Sequence, residues 1–333
     1  MKFTYPISMM LIFISLLTSC AEETTPKANS VEPMVQKSDA YYANLRAYKK
    51  SNHQLFFAWI GGTGLATDPN KVSIYDRIPD SLDIVSMWGL PGNKNSLSDL
   101  KLKEFQRIKG TKFVMMQDSN TEFLNRWSGV ADFAKTYDTG TVKLNEGFEI
   151  VSKRIRDTIV DRKWNGIDLD HEPNYCGCDW GILKYGDKWN MFLAVLSKYL
   201  GPLSGTDLYL MVNGEYEEIT EKTAKGITYI TAQAYACTGP DDLNRRRNDL
   251  PPNFPVNKFI VTENFESYWS TGGVNYKDPK LGTIPSLLGM AYWQPKDGIK
   301  AGAGAFHAEY EYNLSPDFKY TRKAIQIMNP AIR

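Results

Sequence analysis

The amino-acid sequence predicts an α/β fold, a single (β/α)8 TIM barrel over residues 40–333, on three observations. Short apolar runs rich in β-branched and aromatic residues recur eight times. Polar loops and helical patterns fill most of the connections between these runs, an alternation that favours a parallel sheet. The alternative fold, an open doubly wound sheet, usually carries a Gly-rich phosphate-binding motif after its first strand, and no such motif follows the first run here.

The eight runs are expected to be strands that are buried on both faces, because their apolar character is nearly continuous. Eight such strands over about 280 residues fit the length of a (β/α)8 barrel. The runs are Leu55–Ile60, Asp83–Trp88, Lys112–Gln117, Gly166–Asp170, Leu208–Val212, Tyr229–Tyr235, Lys258–Thr262 and Leu288–Trp293.

Apolar residues spaced three or four apart predict helices in the connections. The strongest patterns lie over 144–159 and 189–200, and Gly201 and Pro202 end the second. A shorter helix is expected before Gly110.

The C-terminal half is expected to be less regular. The segments 240–255 and 266–287 are rich in Pro, Gly and Asn and show little helical periodicity. A closing helix is predicted over 317–328, with Ser315 or Asp317 as its N-cap.

The N-terminus has the pattern of an export signal over residues 1–19. Lys2 precedes the apolar stretch Tyr5–Leu17, which is too short to span a bilayer, and small residues follow it. The run Leu17-Thr18-Ser19-Cys20 resembles a bacterial lipobox, in which the cysteine is lipidated. We therefore expect lipid on Cys20, a flexible tether over 20–39, and an exported lipoprotein on the outer membrane or cell surface. A plain signal peptide or a short membrane anchor is the alternative.

Composition narrows the class of partner. The chain has 39 basic and 38 acidic residues, a formal net charge of +1, and shows no basic stripe. Binding driven by nucleic-acid phosphates is therefore not expected. Aromatic residues reach 13%, a surplus that suits carbohydrate contact as well as a large core.

Three cysteines follow the export signal, namely Cys176, Cys178 and Cys237. Cys237 pairs with one of the other two in one reading, and all three are free thiols in another. A zinc site is a weaker reading, because no histidine completes the spacing.

The segment from Gly166 to Pro173 is the most informative in the chain. Side chains alternate along a strand, so Asp168, Asp170 and Glu172 point one way, and the apolar Ile167 and Leu169 point the other. In a barrel the acids face the axis, and Glu172 reaches the mouth at the strand's C-terminal end. Carboxyl groups this close raise one another's pKa, which suits acid–base work. Binding of Mg²⁺ or Ca²⁺ is the alternative use of such oxygen ligands.

These residues resemble the DxxDxDxE motif of glycoside hydrolase family 18, the family of chitinases and endo-β-N-acetylglucosaminidases. Asp168, Asp170 and Glu172 match its last three acids, and Asn165 stands in place of the first. The resemblance implies a (β/α)8 barrel with this motif on the fourth strand. It also implies hydrolysis without a metal or organic cofactor, assisted by the substrate's own acetamido group.

Further segments extend the resemblance. Gln233-Ala234-Tyr235 is similar to the family's sixth-strand motif, whose Tyr contacts the acetamido group, although Ala236 follows where the family often has Asp or Asn. Trp293 resembles the tryptophan that floors the −1 sugar subsite. Asn213, Glu215 and Glu263 are further candidate sugar ligands by their positions at strand ends.

The resemblance implies these roles: Glu172 is the general acid and then the base, Asp170 orients the acetamido group, Asp168 supports Asp170, and Tyr235 holds the acetamido oxygen. The short connection between the seventh and eighth runs leaves no room for the module that many family chitinases insert. We therefore expect an endo-β-N-acetylglucosaminidase that cuts the chitobiose core of N-glycans. A chitinase-type hydrolase acting on chitin-like oligosaccharides, a non-catalytic surface glycan-binding protein and a metal-dependent hydrolase are the alternatives. Surface glycan-uptake proteins are possible partners.

Overall fold

Eight parallel strands close into a barrel in the computed structural model, which describes residues 37–61, 68, 72–89, 92–175 and 177–330. The strands follow the chain order around the barrel, so the predicted (β/α)8 fold is confirmed. They are β1 (Leu55–Gly61), β2 (Ile84–Trp88), β3 (Lys112–Asp118), β4 (Gly166–His171), β5 (Tyr209–Gly214), β6 (Tyr229–Gln233), β7 (Phe259–Asn264) and β10 (Gly302–Phe306). A two-stranded hairpin, β8 (Asn275–Asp278) with β9 (Gly282–Pro285), lies between β7 and β10.

Seven of the eight predicted strands coincide with barrel strands, and the eighth prediction is wrong. Leu288–Trp293 belongs mostly to a helix, and the last barrel strand is the Gly-Ala-Gly-Ala-Phe run Gly302–Phe306. Small residues are required there because β10 lies close to β1. A Cβ on Gly302 would lie 2.0 Å from the Leu55 carbonyl oxygen, and one on Gly304 would lie 2.2 Å from that of Phe57.

Helices surround the barrel, and the predicted ones are present. The patterns over 144–159 and 189–200 correspond to α6 and α7, and the helix before Gly110 is α3. The helices are α1 (Asp39–Lys50), α2 (Ile74–Arg77), α3 (Leu97–Lys109), α4 (Thr121–Ser128), α5 (Phe133–Tyr137), α6 (Thr141–Arg162), α7 (Gly186–Leu196), α8 (Glu221–Ala224), α9 (Pro240–Asn248), α10 (Phe265–Tyr268), α11 (Ser286–Tyr292) and α12 (Lys319–Met328). None of those in the described ranges is long and apolar enough to cross a bilayer.

Two expectations about the C-terminal half need correction. The segment 240–255 contains the regular helix α9, which has Pro at its first turn and Asp242 paired with Arg245 and Arg246. The closing helix α12 is not capped by Ser315 or Asp317. The Glu311 carboxylate accepts hydrogen bonds from the backbone N–H groups at its start instead.

The barrel interior holds its own apolar cluster, separate from the core between strands and helices. It is formed by Phe57, Trp59, Ile84, Val114, Met116, Met211, Ile260 and Ala301. These side chains fill the barrel and leave the polar groups to the end where the strands finish. We call that end the C-terminal face and the opposite end the N-terminal face.

The cysteine alternatives are partly resolved. Cys237 is a free, buried thiol, so the disulfide between Cys237 and Cys176 or Cys178 is wrong. Cys178 is disulfide-bonded. Cys176, the predicted signal segment and Cys20 lie outside the described residues, and the lipid anchor stays a prediction.

Candidate active site

Asp168 and Asp170 on β4, and Glu172 directly after it, point to the barrel axis, as the alternation predicts. Ile167 and Leu169 lie in the outer core, together with the other strand residues that face the helices. His171 also faces outward, where its ring stacks on Trp189 at 4.1 Å and its Nδ1 lies 2.9 Å from Ser119 Oγ. Burial lowers the pKa of His171 to about 3, so this histidine is a neutral packing residue.

Asp168 is the deepest acid and is fully buried. Its Oδ2 accepts hydrogen bonds from Trp59 Nε1 at 2.8 Å and from Ser86 Oγ at 2.7 Å, and its Oδ1 accepts one from Asn213 Nδ2 at 3.0 Å. These three neutral donors favour the ionised carboxylate, but burial outweighs them and raises the pKa of Asp168.

A chain of amides connects Asp168 to Asp170. Asn213 Oδ1 accepts from Gln233 Nε2 at 2.9 Å, and the same Nε2 donates to Asp170 Oδ1 at 3.2 Å. Two of the predicted substrate-binding residues, Asn213 and Gln233, therefore hold the acids in place. Burial raises the pKa of Asp170 well above its usual range, and the charges of Glu172 and Asp168 raise it further.

Glu172 lies at the mouth and is only half-buried. Burial raises the pKa of Glu172, and the charges of Asp118 and Glu215 at the ends of β3 and β5 raise it further, whereas a hydrogen bond with Gln233 opposes the shift. Gly214 allows this approach, because a Cβ there would lie 2.4 Å from the His171 carbonyl oxygen and 2.9 Å from Glu172 Cγ.

Tyr235 follows β6 and lies over the acids. Its ring stacks on Phe306 with centroids 6.0 Å apart. Burial raises the pKa of Tyr235 well above its usual range, and the nearby charges of Asp170 and Glu172 add to the shift. The next residue, Ala236, has a φ of 54°, in the left-handed region that Asn and Asp adopt more readily than Ala.

Glu263 and Glu215 hold loops together at the C-terminal face. Glu263 is fully buried and accepts hydrogen bonds from the backbone N–H groups of Ala236 and Asn264 and from Ser286 Oγ. Glu215 accepts from the backbone N–H of Asn174 at 2.9 Å and from its side-chain amide at 2.6 Å. Position alone made both residues candidate sugar ligands, but their carboxyl groups are engaged with the protein.

Trp293 does not lie at the mouth, so its expected place at the end of the eighth strand is wrong. It follows α11, and its carbonyl accepts a hydrogen bond at 2.7 Å from Nζ of Lys300, which precedes β10. Trp293 therefore lies toward the N-terminal face, where its ring is buried and its Nε1 donates to Asn244 Oδ1 at 3.1 Å.

Asn165 also lies at the N-terminal face, where its Oδ1 accepts from the Phe113 N–H at 2.9 Å. The departure from the family motif at Asn165 therefore does not touch the acids.

Sequence reasoning missed the aromatic side of the mouth. The Phe306 ring lies 5.4 Å from Trp88, 6.3 Å from Trp59 and 4.3 Å from His307, as measured between centroids. Trp88 is 42% exposed. The acids occupy β4, and this aromatic cluster occupies β1, β2 and β10 opposite. Trp88 ends a correctly predicted strand, so its place at the mouth could have been predicted from the sequence. Phe306 could not be placed there, because the eighth strand was assigned to the wrong segment.

Within the described ranges, no three His, Cys, Asp or Glu side chains are arranged to hold a metal ion. The oxygens of Asp168 are engaged by three protein donors, an arrangement that suits a structural acid rather than a cation ligand.

Acids with raised pKa values at the mouth of a (β/α)8 barrel, opposite an aromatic wall formed by Trp59, Trp88 and Phe306, are an arrangement typical of a glycosidase. A family model described as glycoside hydrolase family 18, BT1044-like, matches residues 21–327, and the chain belongs to this family. A comparison with curated proteins returns no significant match.

Solved structures show the same fold. A glutamate-to-glutamine variant of BT1044 is 24% identical with a TM-score of 0.73, and the alignment covers 88% of this chain and 93% of that one. An endo-β-N-acetylglucosaminidase from Cordyceps militaris is 21% identical with a TM-score of 0.64, covering 90% and 99%. A chitinase from Bacteroides thetaiotaomicron is 12% identical with a TM-score of 0.51, covering 84% and 97%.

Proposed function

We propose that this glycosidase is an endo-β-N-acetylglucosaminidase that cuts the chitobiose core of N-glycans with retention of configuration. The observation that carries the proposal is the linked set of acids on β4. A buried Asp168 supports Asp170 through Asn213 and Gln233, and Glu172 stands beyond them at the mouth.

Glu172 protonates the glycosidic oxygen as the bond breaks. A general acid needs a pKa near the working pH, and burial together with the neighbouring acids moves the pKa of Glu172 in that direction. After the aglycone leaves, the ionised Glu172 takes a proton from the attacking water.

Asp170 faces the substrate's 2-acetamido group. It accepts the acetamido N–H and so stabilises the positive charge that develops when the acetamido oxygen attacks the anomeric carbon. Asp168 keeps Asp170 in place through the two amides, and the Tyr235 hydroxyl donates to the acetamido oxygen. The sugar ring lies between the acids and the aromatic wall around Phe306.

Two observations support N-glycans as the substrate. The connection between β7 and β10 contains only a small hairpin and two short helices, so it lacks the large module that many family chitinases insert there to deepen the cleft. A variant of the Cordyceps militaris enzyme in complex with fucosyl-N-acetylglucosamine-Asn carries Asp-to-Asn and Glu-to-Gln changes two positions apart. Asp170 and Glu172 have the same spacing.

Glu172→Gln tests the proposal, because the amide keeps the shape of the side chain and cannot donate the proton. We expect the wild-type chain to leave a single GlcNAc on the asparagine of high-mannose or complex glycoproteins, as read by mass spectrometry. Glu172→Gln is expected to lower the rate of hydrolysis by about 10²–10⁴-fold and to keep glycan binding. Glu217→Gln, an exposed change of the same chemistry, keeps full activity.

Three experimental results would contradict the proposed function. Cleavage of chitin oligosaccharides without release of N-glycans would identify a chitinase. Glycan binding without turnover by the wild-type chain would identify a binding protein. Near-normal hydrolysis by Glu172→Gln would remove Glu172 from the mechanism.

We also propose that Cys20 carries lipid and tethers the enzyme to the membrane of an exporting cell. Metabolic labelling with a radioactive fatty acid tests this directly. The label is expected on the wild-type chain and is lost in Cys20→Ser, and equal labelling of both chains would refute the anchor.

A further inference from the structure

A basic cleft of about 350 Å³ opens on the N-terminal face of the barrel, opposite the acids. Helix α1 contributes Arg46, Lys49 and Lys50 to its wall, and α3 contributes Lys103 and Arg107. Both helices end at this face, so their basic last turns meet there.

The strand starts complete the basic cleft with Lys112 at the beginning of β3 and Lys163 just before β4. No carboxylate is among its lining residues. A chain whose formal net charge is +1 therefore concentrates seven cations around one opening. Such a concentration attracts an anionic partner.

In the part of the chain that the structure describes, few of these cations pair with a carboxylate. Lys103 pairs with Asp99 at 2.7 Å, and Arg107 has Glu104 only at 3.9 Å. Lys49 Nζ donates to a carbonyl and to the Thr111 hydroxyl rather than to a carboxylate. Within the described residues, four further cations have no carboxylate partner, and their charge is left for an external anion: Arg46, Lys50, Lys112 and Lys163.

The chain enters the barrel from the same face. Helix α1 lies against segments that precede β2 and β3, since Tyr41 Oη donates to Asp80 Oδ2 at 3.0 Å and Arg46 Nη1 donates to the Ile108 carbonyl at 2.7 Å. Only residues 21–36 separate Cys20 from the described chain, and they span at most about 55 Å when fully extended. Because the described chain begins on the N-terminal face, a lipid on Cys20 would keep that face within reach of the bilayer.

We propose that the basic cleft binds the phosphate groups of anionic phospholipids and seats the N-terminal face on the membrane. The acids and the aromatic wall then face away from the bilayer, toward large glycoprotein substrates. Each basic residue close to an anionic surface strengthens membrane partitioning about fivefold, so the unpaired cations of the cleft form a second attachment beside the lipid.

The test separates this attachment from the lipid. The chain from residue 20 with Cys20→Ser carries the whole compact unit Lys37–Arg333 and has no acyl group. Its binding is measured by co-sedimentation with vesicles of equal parts phosphatidylglycerol and phosphatidylcholine, and with vesicles of phosphatidylcholine alone. Each variant is also assayed for hydrolysis and for its melting temperature.

The cleft variant combines Lys50→Gln, Arg107→Gln and Lys163→Gln, all at exposed positions. The matched control combines Lys135→Gln, Lys143→Gln and Lys153→Gln, which remove the same charge from exposed positions at the side of the barrel. We expect the parent chain to bind the phosphatidylglycerol vesicles selectively. The cleft variant weakens that binding by about two orders of magnitude, and the control leaves it within about threefold.

Equal weakening by both triple variants would overturn the proposal, because the attraction would then follow net charge alone. Equal binding of the parent chain to both kinds of vesicle would also overturn it. Inorganic phosphate bound in the cleft without any preference for phosphatidylglycerol would make it a site for free anions and refute the membrane role. Hydrolysis is expected to be unchanged in both triple variants, so failure here is distinct from failure of the proposed function.

Discussion

Replacing Ser86 with Ala deletes one of the three hydrogen bonds that hold the deepest acid. Ser86 is fully buried, and its Oγ donates to Asp168 Oδ2 at 2.7 Å. The hydroxyl is the only group removed, and the space it leaves is too small to admit water. The change therefore reports on the support of Asp168 with little effect on packing.

The expected loss depends on whether Asp168 is ionised. A hydrogen bond to a charged group contributes about 1.5–3 kcal/mol and one between neutral groups about 0.5–1.5 kcal/mol. Because burial raises the pKa of Asp168 above its unfolded value, the folded protein holds this proton more tightly, and stability falls as the pH rises between the two values. The deleted donor favours the ionised form, so its loss raises the folded pKa further. We therefore expect Ser86→Ala to destabilise the fold by about 1 kcal/mol at an acidic pH where folded Asp168 is protonated, and by about 2 kcal/mol at a higher pH where it is ionised.

Urea unfolding at both pH values measures this difference. Ser152→Ala is the matched control, since Ser152 is also fully buried and its Oγ has no hydrogen-bond partner in the described part of the chain. That control is expected not to destabilise the fold at either pH, because it removes a buried hydroxyl that has no hydrogen-bond partner. A loss for Ser86→Ala no larger than for Ser152→Ala, or one independent of pH, would refute the account of how Asp168 is held.

Two further predictions concern the mouth. Glu215→Gln keeps an acceptor for the N–H of Asn174 but removes a negative charge that raises the pKa of Glu172. The alkaline limb of the pH profile of kcat/KM is therefore expected to move to lower pH. Glu217→Gln, the control, is expected to leave the profile in place. An unmoved limb in Glu215→Gln would show that this charge does not influence the general acid. Trp88→Ala removes a half-exposed ring of the aromatic wall and is expected to raise KM for the glycan about tenfold with a smaller change in kcat. An unchanged KM would place the glycan elsewhere.

The strands were predictable where packing demands β-branched or aromatic residues. Runs such as Phe113-Val114-Met115-Met116 are buried on both faces, and their apolar composition therefore predicts a strand. Gly302–Phe306 is equally buried, but close contact with β1 selects Gly and Ala, which carry no strand signal. The apolar run Leu288–Trp293 is buried as a helix, and a short apolar run does not distinguish the two structures.

The acids were predictable for a different reason. Alternation along one strand is local, so Asp168, Asp170 and Glu172 could be placed on one face from sequence alone. Their hydrogen-bond partners could not be predicted in this way. Trp59 and Ser86 are 109 and 82 residues from Asp168 along the chain, and they contact it only because the barrel closes. Contacts of this kind depend on the register between strands, which local sequence does not encode.

The three acids have different environments, and charges beside the neighbouring strands contribute to the raised pKa of the outermost one. Alternate residues on a strand are about 6.6 Å apart, so Asp168 influences Asp170 directly but lies about 13 Å along the strand from Glu172. Burial raises the pKa of Glu172, and the charges of Asp118, at the end of β3, and of Glu215, directly after β5, raise it further. The innermost acid thus helps to position the middle one, whereas burial raises the pKa of the outermost acid and the charges beside it on the two flanking strands add to the shift. A relative that kept the β4 motif but lost both flanking acids would retain the geometry for hydrolysis and would work best at a lower pH.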